Sequence, residues 1–185
     1  MMRIIGGKFK KRTLFTPKSE SVRPTTSQLR EALFNICQWE IEGARFLDLF
    51  AGSGAVGLEA LSRGAAQVTF VENHRVALTA IHKNIESLNV QGSTKIIGID
   101  AFKALQKLVE SGQIFDLIYA DPPYGEGLGA RILDFLDRHS LLALGGSLFI
   151  EDSELKMPSL NTLQLHAQRK LGRAYLYEFK LADSD

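Results

Sequence analysis

From Arg45 onward, short apolar runs alternate with stretches whose apolar positions recur at helical spacing. Segments 46–50, 67–72, 94–99, 115–120 and 146–151 read as strands, and 55–63, 74–88, 101–111 and 130–138 as helices between them. Segments 160–170 and 173–181 read as two further strands meeting at Gly172, with no long helical pattern between them. Repeated strand–helix units predict an α/β fold: a doubly wound, mostly parallel sheet of seven strands, with an antiparallel C-terminal hairpin at one edge. Ahead of this body, residues 2–16 alternate loosely and predict a β-hairpin. A polar connector, 19–24, leads to Thr25-Thr26-Ser27, the N-cap candidates of a helix reaching about Trp39. Leu29, Leu33, Phe34, Ile36 and Cys37 mark that helix's apolar face. The chain thus divides into an N-terminal hairpin-and-helix extension, 1–40, and a main domain, 41–185.

Composition narrows the class. The chain has 185 residues, 45% of them hydrophobic and 23% charged, which suits one globular domain with a sizeable core. No apolar run approaches a membrane span, and Ile4-Ile5 is too brief for a signal-peptide core, so a cytoplasmic protein without a membrane partner is expected. Cys37 is the sole cysteine and fits a reducing compartment. The four histidines lie far apart and share no metal-ligand spacing, so no metal is expected.

The net charge of +1 hides a division. Residues 1–30 hold eight basic groups against Glu20, whereas the remainder holds 14 basic and 20 acidic groups. A basic arm on an acidic body predicts that the arm meets a polyanion, with Arg3, Lys8, Lys10, Lys11, Arg12 and Arg23 as candidate nucleic-acid contacts.

Gly52-Ser53-Gly54-Ala55-Val56-Gly57 has the G-x-G-x-x-G form between a predicted strand and helix. Twenty residues beyond Gly52, Glu72 ends the second strand, where a carboxylate can accept ribose hydroxyls. Such a site takes an adenosine-containing cofactor. Asp48, near the tip of the first strand, would repel a pyrophosphate but suits the ammonium of S-adenosylmethionine. After the third strand, Asp100 could accept the adenine amine while Phe102 meets the base; Asp100 is equally placed to cap a helix.

Asp121-Pro122-Pro123-Tyr124 follows the apolar run 115–120, at the end of a strand where a parallel sheet delivers functional groups. Two prolines hold the turn rigid. Asp121 and the Pro122 carbonyl could each accept one N–H of an exocyclic amine, drawing its lone pair out of the ring, while Tyr124 stacks on the base. No shifted acid or base is needed, since the proton can leave after alkylation.

These residues, with Phe46 to Gly54, resemble the class I S-adenosylmethionine-dependent amino-methyltransferases, a Rossmann-like fold. Arg3-Ile4-Ile5-Gly6-Gly7 with 8–14, and Arg23-Pro24-Thr25 leading to 30–35, resemble the two N-terminal signatures of the RsmD family, which methylates N2 of a guanine in bacterial 16S rRNA. The resemblance implies that Asp48, Gly52, Gly54, Glu72, Asp100 and Ala101, with Phe50, Ala51, Asn73 and Phe102 beside them, hold S-adenosylmethionine, which leaves as S-adenosylhomocysteine. It implies that Asp121, Pro122, Pro123 and Tyr124 hold the guanine, and that the arm meets rRNA of the small ribosomal subunit, the protein acting as a monomer. Arg23 either touches the nucleotide or anchors the arm. Three other readings stay open on the residues: adenine-N6 methylation of DNA by the same turn, a nicotinamide-dependent oxidoreductase, and a non-catalytic rRNA-binding assembly factor. Asp48 counts against the second, and the intact Asp121-to-Tyr124 turn against the third.

Overall fold

A computed structural model describes residues 2–17, 27–123, 125 and 127–182. Seven strands form one sheet: β1 (Arg45–Leu49), β2 (Gln67–Val71), β3 (Thr94–Ile97), β4 (Phe115–Ala120), β5 (Leu142–Asp152), β6 (Leu163–Leu171) and β7 (Ala174–Leu181). Their order is β3-β2-β1-β4-β5-β7-β6. The first five pair in parallel, and β7 runs antiparallel to both of its neighbours. The antiparallel C-terminal hairpin therefore forms one edge of the sheet, as the sequence pattern suggested, with β7 as its inner strand. The edge strand β6 again points the same way as β1 and β4.

The helices are α1 (Ser27–Ile36), α2 (Ala55–Ser62), α3 (Arg75–Leu88), α4 (Ala101–Glu110) and α5 (Leu128–Arg138). Side chains alternate between the sheet's two faces, and each face builds its own core. Phe46, Leu117, Tyr119 and Phe149 pack with α1, α2 and α3, while Leu47, Ile118, Leu148 and Ile150 pack with α4 and α5. This is the doubly wound arrangement that near-continuous apolar strands require.

Element ends shift for local reasons. The apolar stripe of α1 is complete by Cys37, and the chain turns there, leaving Trp39 88% exposed. Strand β5 begins four residues earlier than its pattern suggested, because an irregularity opposite 115–117 absorbs Gly145 at φ 75°. Strand β6 begins at Leu163 because the Asp137 carboxylate gathers the backbone N–H groups of Asn161, Thr162 and Leu163 in the preceding turn.

The N-terminal hairpin is short: one antiparallel bridge, Arg3 with Thr13, is flanked by the Ile4 N–H donating to the Arg12 carbonyl at 3.0 Å, the Lys11 N–H to the Ile4 carbonyl at 2.9 Å and the Leu14 N–H to the Met2 carbonyl at 2.9 Å. Other backbone groups of the arm bond to the body. Glu59 of α2, fully buried, accepts the N–H of Ile5 at 2.8 Å and of Gly6 at 2.7 Å, and it meets Arg63 at 2.9 Å and Arg30 at 3.4 Å. The Lys8 N–H donates to the Ser62 carbonyl at 2.7 Å, and Asn84 of α3 exchanges two bonds with the Phe15 backbone. Ile4 and Leu14 enter the same core as Phe46 and Leu58. Every residue of α2 is buried as a result, polar Glu59 and Ser62 included.

Candidate active site

The first strand ends in a tight reversal. Phe50, Gly52 and Gly54 all have positive φ, at 61°, 55° and 78°. Glycine adopts this freely, whereas Phe50 does so at a cost of about 1–3 kcal/mol, the kind of strain that gathers where a loop is held for function. Glu72, at the end of β2, fastens the loop by accepting the Gly52 N–H at 2.8 Å and those of Asn73 and His74 at 2.9 and 2.7 Å. A carboxylate offers about four acceptor positions, so room remains for one further donor. Asp48, 1% exposed, accepts the Gly57 N–H at 2.9 Å. Burial pushes its pKa up to about 7; the Gly57 N–H opposes this and the Glu72 charge adds to it.

Strands β1 and β4 are neighbours and end together, Leu49 beside Ala120. This puts the Asp121-Pro122-Pro123 turn alongside the glycine loop, and both open on one cavity of about 400 Å³. Of the residues expected to hold a cofactor, Asp48, Phe50, Ala51, Gly52, Glu72 and Asn73 line it, as do Asp121, Pro122 and Pro123 from the catalytic turn. Gly54 lies beneath it against the Phe70 ring. Tyr124 and Arg23 lie outside the described residues.

Asp100, Ala101 and Phe102 do not line this cavity. Asp100 caps α4, accepting the N–H of Phe102 at 3.0 Å and of Lys103 at 3.2 Å, while Ala101 is buried. The Phe102 ring turns toward α5, with the Arg131 guanidinium 4.4 Å from its centroid, and lines a second, shallower groove. Arg3, Lys8, Lys10, Lys11 and Arg12 are exposed on the arm and stay outside the cavity; the arm contributes Met2, Thr16 and Pro17 to its wall instead.

Three wall groups escaped the sequence reading. Tyr119 donates to Glu151 at 3.0 Å; burial, and then the charges of Asp121 and Glu151, raise its pKa well above the usual phenol value. Glu151 follows the apolar run 148–150 near the end of β5, much as Asp121 follows the run that forms β4. Arg173 reaches the cavity from the β6–β7 turn, which no local pattern could have placed there. Asp48, Glu72, Asp121 and Glu151 give the cavity an acidic wall, suited to a ligand that carries positive charge. Among the described residues, no three His, Cys, Asp or Glu side chains are grouped to hold a metal ion, and no helix is long and apolar enough to cross a membrane.

The family model described as conserved hypothetical protein 95 matches residues 2–180. Ribosomal RNA small subunit methyltransferase D of Escherichia coli strain K12 is 35% identical over 174 residues, covering 93% of this chain and 86% of that protein. The protein of the same name from Haemophilus influenzae is 31% identical over 155 residues, covering 84% and 80%. A solved structure of a hypothetical protein from Thermus thermophilus superposes with a TM-score of 0.84 at 29% identity, over 98% of this chain and all of that one. The model match across nearly the whole chain, and relatives above 30% identity along most of it, show that this chain belongs to the RsmD family of methyltransferases.

Proposed function

We propose that this protein transfers the methyl group of S-adenosylmethionine to the exocyclic N2 of a guanine in 16S rRNA of the small ribosomal subunit. One observation carries the reading: the Asp121-Pro122-Pro123 turn opens on the same cavity as the glycine loop and Glu72. A methyl donor and an amine can therefore meet across a single space. The E. coli and H. influenzae relatives are named for ribosomal RNA of the small subunit, which supports the substrate class.

S-Adenosylmethionine supplies an electrophilic methyl carbon on a sulfonium, and the cavity's residues fit it by charge. Asp48 and its acidic neighbours favour the cationic ligand, and Glu72 keeps acceptor capacity for a ribose hydroxyl. On the other side, Asp121 and the Pro122 carbonyl accept the two N–H groups of the guanine amine and hold its lone pair toward the donor. Orientation does most of the work in such a transfer. The C–S bond breaks as the N–C bond forms, and the proton leaves the alkylated nitrogen to water or to a nearby carboxylate. Exposed Lys8, Lys10, Lys11 and Arg12 meet RNA phosphates on the arm.

The test uses small subunits from cells lacking this protein, incubated with purified protein and radiolabelled S-adenosylmethionine, followed by mass spectrometry of the nucleosides. N2-methylguanosine is expected, and Asp121→Ala abolishes it while retaining cofactor binding. Absence of label with the wild-type protein refutes the proposal. N6-methyladenine instead would assign the same turn to a different base.

A further inference from the structure

Strand β6 points the same way as β1 and β4, so the β6–β7 turn arrives at the sheet edge that carries the glycine loop and the Asp121 turn. Leu171 pairs with Ala174, which leaves Gly172 and Arg173 as a two-residue tip, Gly172 at φ 67°. Arg173 is exposed, yet it lines the cavity mouth, and its guanidinium has no ion-pair or hydrogen-bond partner among the described residues. It is the only arginine or lysine among the described residues of an otherwise acidic wall. Its basic neighbours are engaged: Arg169 pairs with Glu178 at 2.9 Å, and Lys170 lies over the Tyr175 ring.

Strand order separates two ends of this cavity. The glycine loop and Glu72 belong to β1 and β2, whereas Arg173 adjoins β7, two places beyond β4 on the opposite side. With strands about 4.8 Å apart, Arg173 is on the order of 10 Å past Asp121, away from the cofactor side. A molecule reaching that mouth with its base at Asp121 presents there its sugar–phosphate, not its base. A planar guanidinium fork is matched to phosphate oxygens, which the carboxylates of this wall would repel.

We infer that Arg173 is a positioning residue: it holds a backbone phosphate of the target nucleotide at the cavity mouth while Asp121 holds the amine. This rests on the methyltransferase reading above and adds to it how the strand is oriented. Arg173→Ala should raise the KM for small subunits about tenfold, the scale of a lost charge-assisted hydrogen bond. It should also lower the slope of log affinity against log salt by about 0.7, one single-strand phosphate contact. The Kd for S-adenosylmethionine by calorimetry and the melting temperature should not change, and Arg173→Lys should recover the salt slope with only part of the KM.

Binding to small subunits and methyl transfer are measured separately, so the two claims fail separately. If the wild-type protein transfers no methyl group yet Arg173→Ala lowers the salt slope, the phosphate contact stands and the reaction is wrong. If transfer occurs and KM and slope are unchanged in Arg173→Ala, the inference is overturned. A loss of cofactor affinity with unchanged subunit binding overturns it equally, because Arg173 would then be holding the cofactor's carboxylate.

Discussion

Glu59 is the residue whose loss should cost this protein most. Its carboxylate, fully buried, accepts two backbone N–H groups of the arm and faces two arginines. Arg30 is 2% exposed; burial lowers its pKa, the Glu59 charge opposes that, and its Nε atom has no acceptor even with Glu59 in place. Glu59→Ala strands that guanidinium and frees the Ile5 and Gly6 amides together. Breaking a buried ion pair from one side costs about 3–5 kcal/mol. At about 2–4 °C per kcal/mol for a chain of this size, the melting temperature should fall by about 6–20 °C. Asp134→Ala breaks the exposed i,i+4 pair with Arg138 and should change stability by no more than about 0.5 kcal/mol. Scanning calorimetry on both variants makes the comparison. Replacing both partners, Glu59→Leu with Arg30→Met, should recover part of the loss, because no buried charge is then left alone. If Glu59→Ala melts within about 2 °C of the wild type, the arm is not held by this carboxylate and the reasoning fails.

Three further outcomes are expected. Because burial raises the Asp48 pKa to about 7, the native state binds more protons than the unfolded chain between the ordinary aspartate range and about 7, so this residue's contribution to stability declines as pH rises through that window. A cationic cofactor favours the ionised form, so cofactor affinity measured by calorimetry should rise up to about tenfold per pH unit below about pH 7 and then level off; in Asp48→Asn it should be weak and flat. Gly7→Ala puts a Cβ into the Ser62 carbonyl at φ 71°, a strain of at least about 1–3 kcal/mol, and should speed proteolytic cleavage of the arm. Replacing Lys8, Lys10, Lys11 and Arg12 by Ala should lower the salt slope of RNA binding by up to about 3 and leave cofactor affinity intact; an unchanged slope would remove the arm from the interface.

The main sheet was legible because its strands are buried on both faces and therefore read as unbroken apolar runs. The glycine loop, Glu72 and the Asp121 turn were legible for a related reason: each sits where such a run stops. Glu151 obeyed the same rule and was overlooked only because Asp152 and Ser153 make the strand end look like ordinary polar surface. The direction of the Phe102 ring was not legible, since its proximity to Asp100 in sequence says nothing of its rotation around α4, which turns the ring to Arg131. The hairpin 2–16 was legible only in part. Its ends pair with each other, Ile4 with Arg12 and Leu14 with Met2, but Ile4 and Leu14 also enter the core, and Glu59, Ser62 and Asn84 accept the N–H groups of Ile5, Gly6, Phe9 and Phe15.

Local periodicity, glycines at positive φ and carboxylates at strand ends are properties of neighbouring residues, so the sequence alone determined the α/β architecture and the glycine-loop side of the cavity. Strand order, the buried Arg30–Glu59 pair and the arrival of Arg173 at the cavity mouth join residues far apart in the chain. Such pairings depend on which edges remain open once the central strands have paired and on which polar groups find partners out of water. Only the tertiary structure could decide them.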